Sequence, residues 1–172
     1  ALFVCAFIFP VLYNAVWYLF FIVLIFLVID ILILFITKNG IEATRTAPEK
    51  LSNGDDNQIS VSIKNYYNFS IFTKVIDEIP YQFQIRNFEI KRKVKTASQD
   101  DFNYNLRPTE RGEYFFGTLN IYVSSPLKLV SRRYRFAQDE MVPTYPSFIQ
   151  LRKYDLIAFS NNLRQYGLKK IR

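Results

Sequence analysis

"ISVSIKN", residues 59–65, alternates with a period of two: Ile59, Val61 and Ile63 fall on one side, Ser60, Ser62 and Lys64 on the other. Successive strand side chains point to opposite faces, so this is the pattern of a half-buried β-strand. The style continues outward. "IFTKVID" (71–77) and "YQFQIR" (81–86) follow, and "DFNYNL" (101–106) sets Phe102, Tyr104 and Leu106 against polar neighbours. "GEYFFGTLNIYV" (112–123) and "LKLVSRRYRF" (127–136) are rich in aromatic and β-branched residues. "EMVPTYP" (140–146) reads as a last, edge strand, since Pro143 cannot donate to a ladder. About seven short strands separated by turn signals predict an all-β, Ig-like sandwich over 58–147.

Toward the N-terminus the pattern stops in "TKNGIEATRTAPEKLSNGDDNQ", whose Asn, Gly, Asp and Pro content predicts a linker over 38–57. Ahead of it charge disappears: from Ala1 to Thr37 the only charged side chain is Asp30. From Lys38 onward lie 22 basic and 14 acidic residues, a net charge of +8. A spanning helix needs about 20 apolar residues, and Val16 to Ile36 meets that alone. "ALFVCAFIF" before it is apolar but too short to span, and Pro10 and Asn14 read as a break. The chain opens on Ala rather than Met, so the expectation is a transmembrane helical hairpin over 1–37 with its first arm truncated. A secretory signal fits poorly, because no basic region precedes the apolar run. Lys38, Arg45 and Lys50 follow the span closely, which by the positive-inside rule places the soluble part in the cytoplasm of a bacterial inner membrane. Beyond Ser147 the period becomes helical, with Leu151, Tyr154, Ile157 and Ala158 on one face, predicting a helix over 148–172 that leads into a further domain.

The inventory removes most chemistry. There is no His, and the one cysteine, Cys5, lies in the apolar part. Histidine-based acid–base catalysis, Ser-His-Asp and Cys-His arrangements and ordinary zinc sites have no residues to use. Neither GxGxxG nor GxxxxGK[ST] occurs. The carboxylate pairs Asp55–Asp56, Asp77–Glu78, Asp100–Asp101 and Asp139–Glu140 all fall at expected turns or strand ends and read as solvated turn acids. No enzyme activity and no cofactor are expected.

Three features remain. Asp30 within an apolar helix is costly, and it reads either as a helix-packing residue or as part of an ion or proton relay. Two basic clusters, Lys91, Arg92, Lys93 and Lys95 in "KRKVK" and Arg132, Arg133 and Arg135 in "RRYR", read as a charged outer strand face, an anionic-lipid surface or, as the weakest reading, a nucleic-acid grip. In "RPTERGEYFFG", Gly112 lets the chain turn into a strand on which Tyr114 and Phe116 share a face, and Gly117 interrupts it.

Taken in order, five separated motifs resemble the bacterial family catalogued as domain of unknown function fifty-eight. They are the apolar run ending near Asp30; Arg45 with the strand entry "LSNGDDNQISVSIKN", which closes on Asn65; "DEIP" with Asp77 and Pro80; "RPTERGEYFFGTLNIYVSSPLKLV" with Arg107, Arg111, Gly112, Tyr114, Gly117 and Pro126; and "VPTYPSF" with Tyr145 and Pro146. The sequence departs from the family pattern after the aromatic strand, with Ser125 at an acidic place and Lys128 at a glycine. The resemblance implies a membrane-anchored accessory or adaptor protein, working with a MoxR-type AAA+ ATPase and von Willebrand A-domain membrane proteins. It also implies a von Willebrand A-like domain downstream. A transporter or enzyme subunit using Asp30, and an anionic-lipid-binding module, are the alternatives.

Overall fold

The computed structural model describes residues 11–147. Helix α1, Val11–Ile36, is followed by ten strands: β1 Ile41–Thr46, β2 Leu51–Ser52, β3 Asn57–Asn65, β4 Ile71–Asp77, β5 Ile90–Val94, β6 Gln99–Leu106, β7 Gly112–Phe116, β8 Leu119–Ser124, β9 Ser131–Phe136 and β10 Glu140–Tyr145. The first arm of the expected hairpin and the helix expected over 148–172 lie outside the described residues.

Helix α1 runs through Asn14 without interruption, so the break expected around that residue is absent. Its 26 residues span about 39 Å at 1.5 Å rise each. It is apolar all round, long enough to cross a membrane, and most of its side chains are exposed. Two on one face are not: Asp30 and Leu34, one turn apart, are both fully buried.

The strands form three small sheets, ordered β1-β3-β6, β5-β4-β8-β9 and β2-β10-β7. The first two stack face to face. Ile41, Ala43, Val61, Ile63 and Phe102 from one meet Ile71, Val75, Leu119, Ile121 and Val123 from the other. A second cluster of Leu51, Ile59, Leu106, Tyr114, Phe116 and Val142 fills the far end under the third sheet. Strand β3, with its alternating burial, contributes to both: Ile59 to the far core, Val61 and Ile63 to the near one.

Several expectations need correction. The segment 38–57 is not simply a linker, because β1 within it pairs antiparallel with β3 from Ile41↔Asn65 to Thr46↔Ser60. Its inward row is Ile41, Ala43 and Arg45, and the charge at the last position disguised the alternation. "KRKVK" belongs to strand β5, which carries too few apolar residues to show a period. "YQFQIR" is no strand: Tyr81–Phe83 forms a 3-10 turn. As expected, Gly117 interrupts the run 112–123, which forms two strands rather than one; an added Cβ there would lie 2.6 Å from a Glu78 carboxylate oxygen. With these, and with the two-residue β2 added, about seven strands become ten.

Candidate functional site

Two polar clusters are built into this frame. One joins the helix to the sandwich. The other is sealed between the sheets.

At the joint, Asp30 faces the β8–β9 connection. Its carboxyl group accepts hydrogen bonds from the Ser125 hydroxyl and from the backbone N–H groups of Leu129 (3.0 Å) and Val130 (2.9 Å). Ser125 also holds its own turn, accepting from the Leu127 N–H at 3.0 Å. Six residues further along, α1 ends with no basic side chain of its own in the last turn. Arg132 of β9 supplies one. Its guanidinium donates to the carbonyls of Leu34 (2.7 Å), Thr37 (2.7 Å) and Lys38 (3.0 Å). The last four carbonyls of a helix have no intrahelical partner, and the C-terminal end of its dipole favours a cation. Arg132 answers both demands from outside the helix.

Aromatic packing completes the joint. The Arg132 guanidinium lies 5.1 Å from the Phe35 ring centroid and 4.7 Å from that of Tyr134. Tyr67, fully enclosed, donates to the Leu34 carbonyl at 2.9 Å, and its hydroxyl lies 2.7 Å from that of Tyr134. Its ring fills the space above Gly40, where a Cβ would approach within 2.1 Å, so only glycine fits there. Burial, followed by the contact with Tyr134, pushes the Tyr67 phenol well above its ordinary range. Asn65 knots the neighbouring loops: its side chain donates to the carbonyls of Phe69 and Lys95 and accepts from the Tyr67 N–H.

The sealed cluster centres on Arg45 and Asp77, whose side chains are fully enclosed and 2.6 Å apart. Tyr104 donates to the second carboxylate oxygen at 2.5 Å, and Arg45 also donates to the Gly117 carbonyl at 3.1 Å. Glu140 lies 3.5 Å from Arg45 Nε, and the guanidinium sits 5.0 Å from the Phe116 ring centroid. Burial pushes the Asp77 carboxyl above the usual carboxylate range, and Arg45 and Tyr104 offset that in part. Burial and the adjacent Asp77 charge push the Tyr104 phenol up as well. Asp77 is therefore not the solvated turn acid expected from sequence. It is the last inward position of β4, opposite the last inward position of β1. Its neighbour Glu78 faces away and accepts from Thr118 N–H (2.9 Å) and the Asn120 amide (2.8 Å).

The remaining sequence candidates are scattered. Arg107 and Arg111 are exposed and stand apart from both clusters. Gly112 has φ +139°, a conformation favouring glycine. Tyr114 is buried, and its hydroxyl pins the "RPTER" turn by donating to the Glu110 carbonyl at 2.9 Å. Pro80 is buried and opens the 3-10 turn; its carbonyl accepts from the Phe83 N–H. Pro126 is exposed beside Ser125. Tyr145, followed by Pro146, ends β10 and accepts from the Asn53 N–H at 2.8 Å.

The two basic clusters, forty residues apart in sequence, meet on one sheet. Strands β5 and β9 are its two edges. Register places Lys91, Lys93, Arg133 and Arg135 on its outer face, with Phe72, Lys74 and Tyr122 between them. Arg92 and Arg132 point the other way, to Asp100 (2.9 Å) and to the helix end respectively. Lys95 lies just past β5. Sequence reading missed the roles of Ser125, Arg132, Tyr67 and Tyr104, because each depends on a partner at least 27 residues away. Among the described residues, no group of three or more acidic or Cys side chains is placed to hold a metal ion.

No family model matches this sequence, and no curated relative matches it. Among solved structures, an ASH/PapD-like domain of human CEP192 is similar, with 10% identity, 63% of this chain and 87% of that one covered, and a TM-score of 0.48. A CARDB domain from Pyrococcus furiosus, solved in complex with di-metal ions, has 14% identity, covers 62% of this chain and 93% of its own, and has a TM-score of 0.41. These are partial likenesses; the described residues of this chain form an apolar N-terminal helix followed by a β-sandwich.

Proposed function

We propose that this chain is a membrane-anchored interaction module without catalytic activity of its own, in which α1 crosses a bacterial inner membrane and the sandwich is held in a fixed attitude on the cytoplasmic side. The observation that carries this reading is the joint. A flexible tether would leave the helix end to water, whereas here Asp30 and Arg132 bind helix and sandwich at two heights, about 6 Å apart along the helix for the four residues from Asp30 to Leu34. Such a joint suits a protein that presents a surface at a set distance and angle from the bilayer. Lys38, two residues after the helix, supports the cytoplasmic assignment.

Asp30 supports this reading over a relay. Its carboxyl oxygens are engaged by a hydroxyl and two backbone N–H groups, which a proton-carrying residue would have to release at each cycle. The partner class rests on the resemblance described above and is a MoxR-type AAA+ ATPase, with von Willebrand A-domain membrane proteins as co-clients. The test is retention of a purified MoxR-type ATPase on full-length protein in lipid nanodiscs, with ATP-bound and nucleotide-free arms. Nucleotide-dependent retention is expected; no retention in either arm would overturn the partner assignment.

A further inference from the structure

The joint fixes how deep the sandwich sits, and with it what its nearest loops touch. This inference rests on α1 crossing a bilayer. The apolar segment Tyr13–Ile36 has 24 residues, about 36 Å, against about 30 Å of hydrocarbon. Asp30 lies about 9 Å before the end of that segment, so with all the excess on this side it sits about 3 Å inside the boundary between acyl chains and headgroups. The β8–β9 connection, bonded to Asp30, is carried to the same height.

That connection is "SPLKL", and it does not look like a water-facing turn. Leu127 and Leu129 are 44% and 50% exposed on either side of Lys128. Lys128 adopts φ 56°, a left-handed conformation that glycine takes without strain. Its ammonium lies 3.8 Å from the Phe72 ring centroid, and Lys93 approaches the same ring at 5.5 Å. Lys95 is exposed just beyond, and Lys38 is exposed at the helix end.

Charge pairing on this side of the molecule is graded. Away from the joint, Lys74 and Lys91 are both paired with Glu89, at 2.6 and 3.0 Å, and Arg92 is paired with Asp100. Close to it, no ion pair joins Lys38, Lys93, Lys95 or Lys128 to an acidic group among the described residues. Two half-exposed leucines with uncompensated lysines around them are the composition of an interfacial membrane contact: apolar groups enter the acyl boundary and cations meet phosphates.

We propose that the end of the sandwich nearest α1 is a lipid-contact rim. Leu127 and Leu129 wedge into the interface, and Lys128, Lys93, Lys95 and Lys38 bind the headgroups of anionic phospholipids in the leaflet where the helix ends.

The full chain, with Cys5→Ala, is reconstituted in vesicles of phosphatidylcholine with or without phosphatidylglycerol. A fluorophore is placed at Leu127→Cys, Thr96→Cys or, as a remote reference, Gln138→Cys, and quenching by lipids carrying a nitroxide near the headgroup is read. Quenching is expected at 127 and 96 and not at 138. At 96 it should strengthen with phosphatidylglycerol and be lost in the variant Lys93→Glu/Lys95→Glu/Lys128→Glu, whose circular dichroism shows whether the fold is kept. Alkaline carbonate extraction of the same vesicles separates the two readings. Protein that stays in the membrane with 127 quenched no more than 138 overturns the rim and leaves the anchor standing. Protein that is extracted overturns both. A label at 96 that responds to added oligonucleotide and not to lipid charge overturns the lipid assignment in favour of nucleic acid.

Discussion

Arg45 and Asp77 illustrate how one buried ion pair organises a small core. Removing one partner leaves the other buried and uncompensated, which typically costs 3–5 kcal/mol. Arg45→Ala is therefore expected to lower stability by about that much in urea titrations of the full chain in detergent micelles. Replacing the set together, as Arg45→Met/Asp77→Leu/Tyr104→Phe, should cost less than Arg45→Ala alone, since no fully buried charge is then left unpaired and Glu140 is partly exposed to solvent. A triple variant less stable than the single one would show that the cluster contributes through more than mutual compensation. Two tyrosines give the molecule an alkaline limit. Burial raises the phenols of Tyr67 and Tyr104 above the ordinary value of about 10, so the folded state holds its protons more tightly than the unfolded one. Their contribution is complete below about pH 10 and declines as pH rises toward the folded-state values. The urea midpoint should be level up to that pH and fall above it, and Tyr67→Phe/Tyr104→Phe should remove most of the fall.

At the scale of elements, the joint makes the β8–β9 connection depend on a helix about a hundred residues away. Asp30→Leu leaves the N–H groups of Leu129 and Val130 without their acceptor. Loss of such a bond is worth about 1–3 kcal/mol, so both amides should exchange with deuterium roughly five- to a hundredfold faster, while those of β3 are unchanged. Equal exchange in the variant would mean that the loop is held by its own turn alone. Arg132→Gln should speed exchange and proteolysis at residues 37–40 by freeing three carbonyls.

The same dependence explains what sequence could reveal. Strands with clean alternation, such as β3 and the β4 row Ile71, Thr73 and Val75, were readable because their burial is set by period alone. Tyr114 and Phe116 were placed on one face for the same reason, and that face is the buried one. Strand β1 was not, because its inward row ends on Arg45, whose burial makes sense only once Asp77 stands opposite. Asp30 was visible as an anomaly, and helix packing was among its readings. Its partners are two backbone amides and a serine, groups that leave no signature in a sequence.

On the scale of the whole molecule, the proposed function requires helix and sandwich to act as a single rigid unit, joined at Asp30 and Arg132. Under the proposed function the apolar helix sets the depth in a bilayer, the joint sets the angle, and the outer sheet faces stand at a fixed distance from it. Spin labels at Leu19→Cys on α1 and Gln138→Cys on the far side of the sandwich, in a Cys5→Ala chain held in lipid nanodiscs, test this directly through their distance distribution. The account predicts a single narrow peak that broadens in Asp30→Leu/Arg132→Gln. A broad distribution in the otherwise unaltered chain would contradict it.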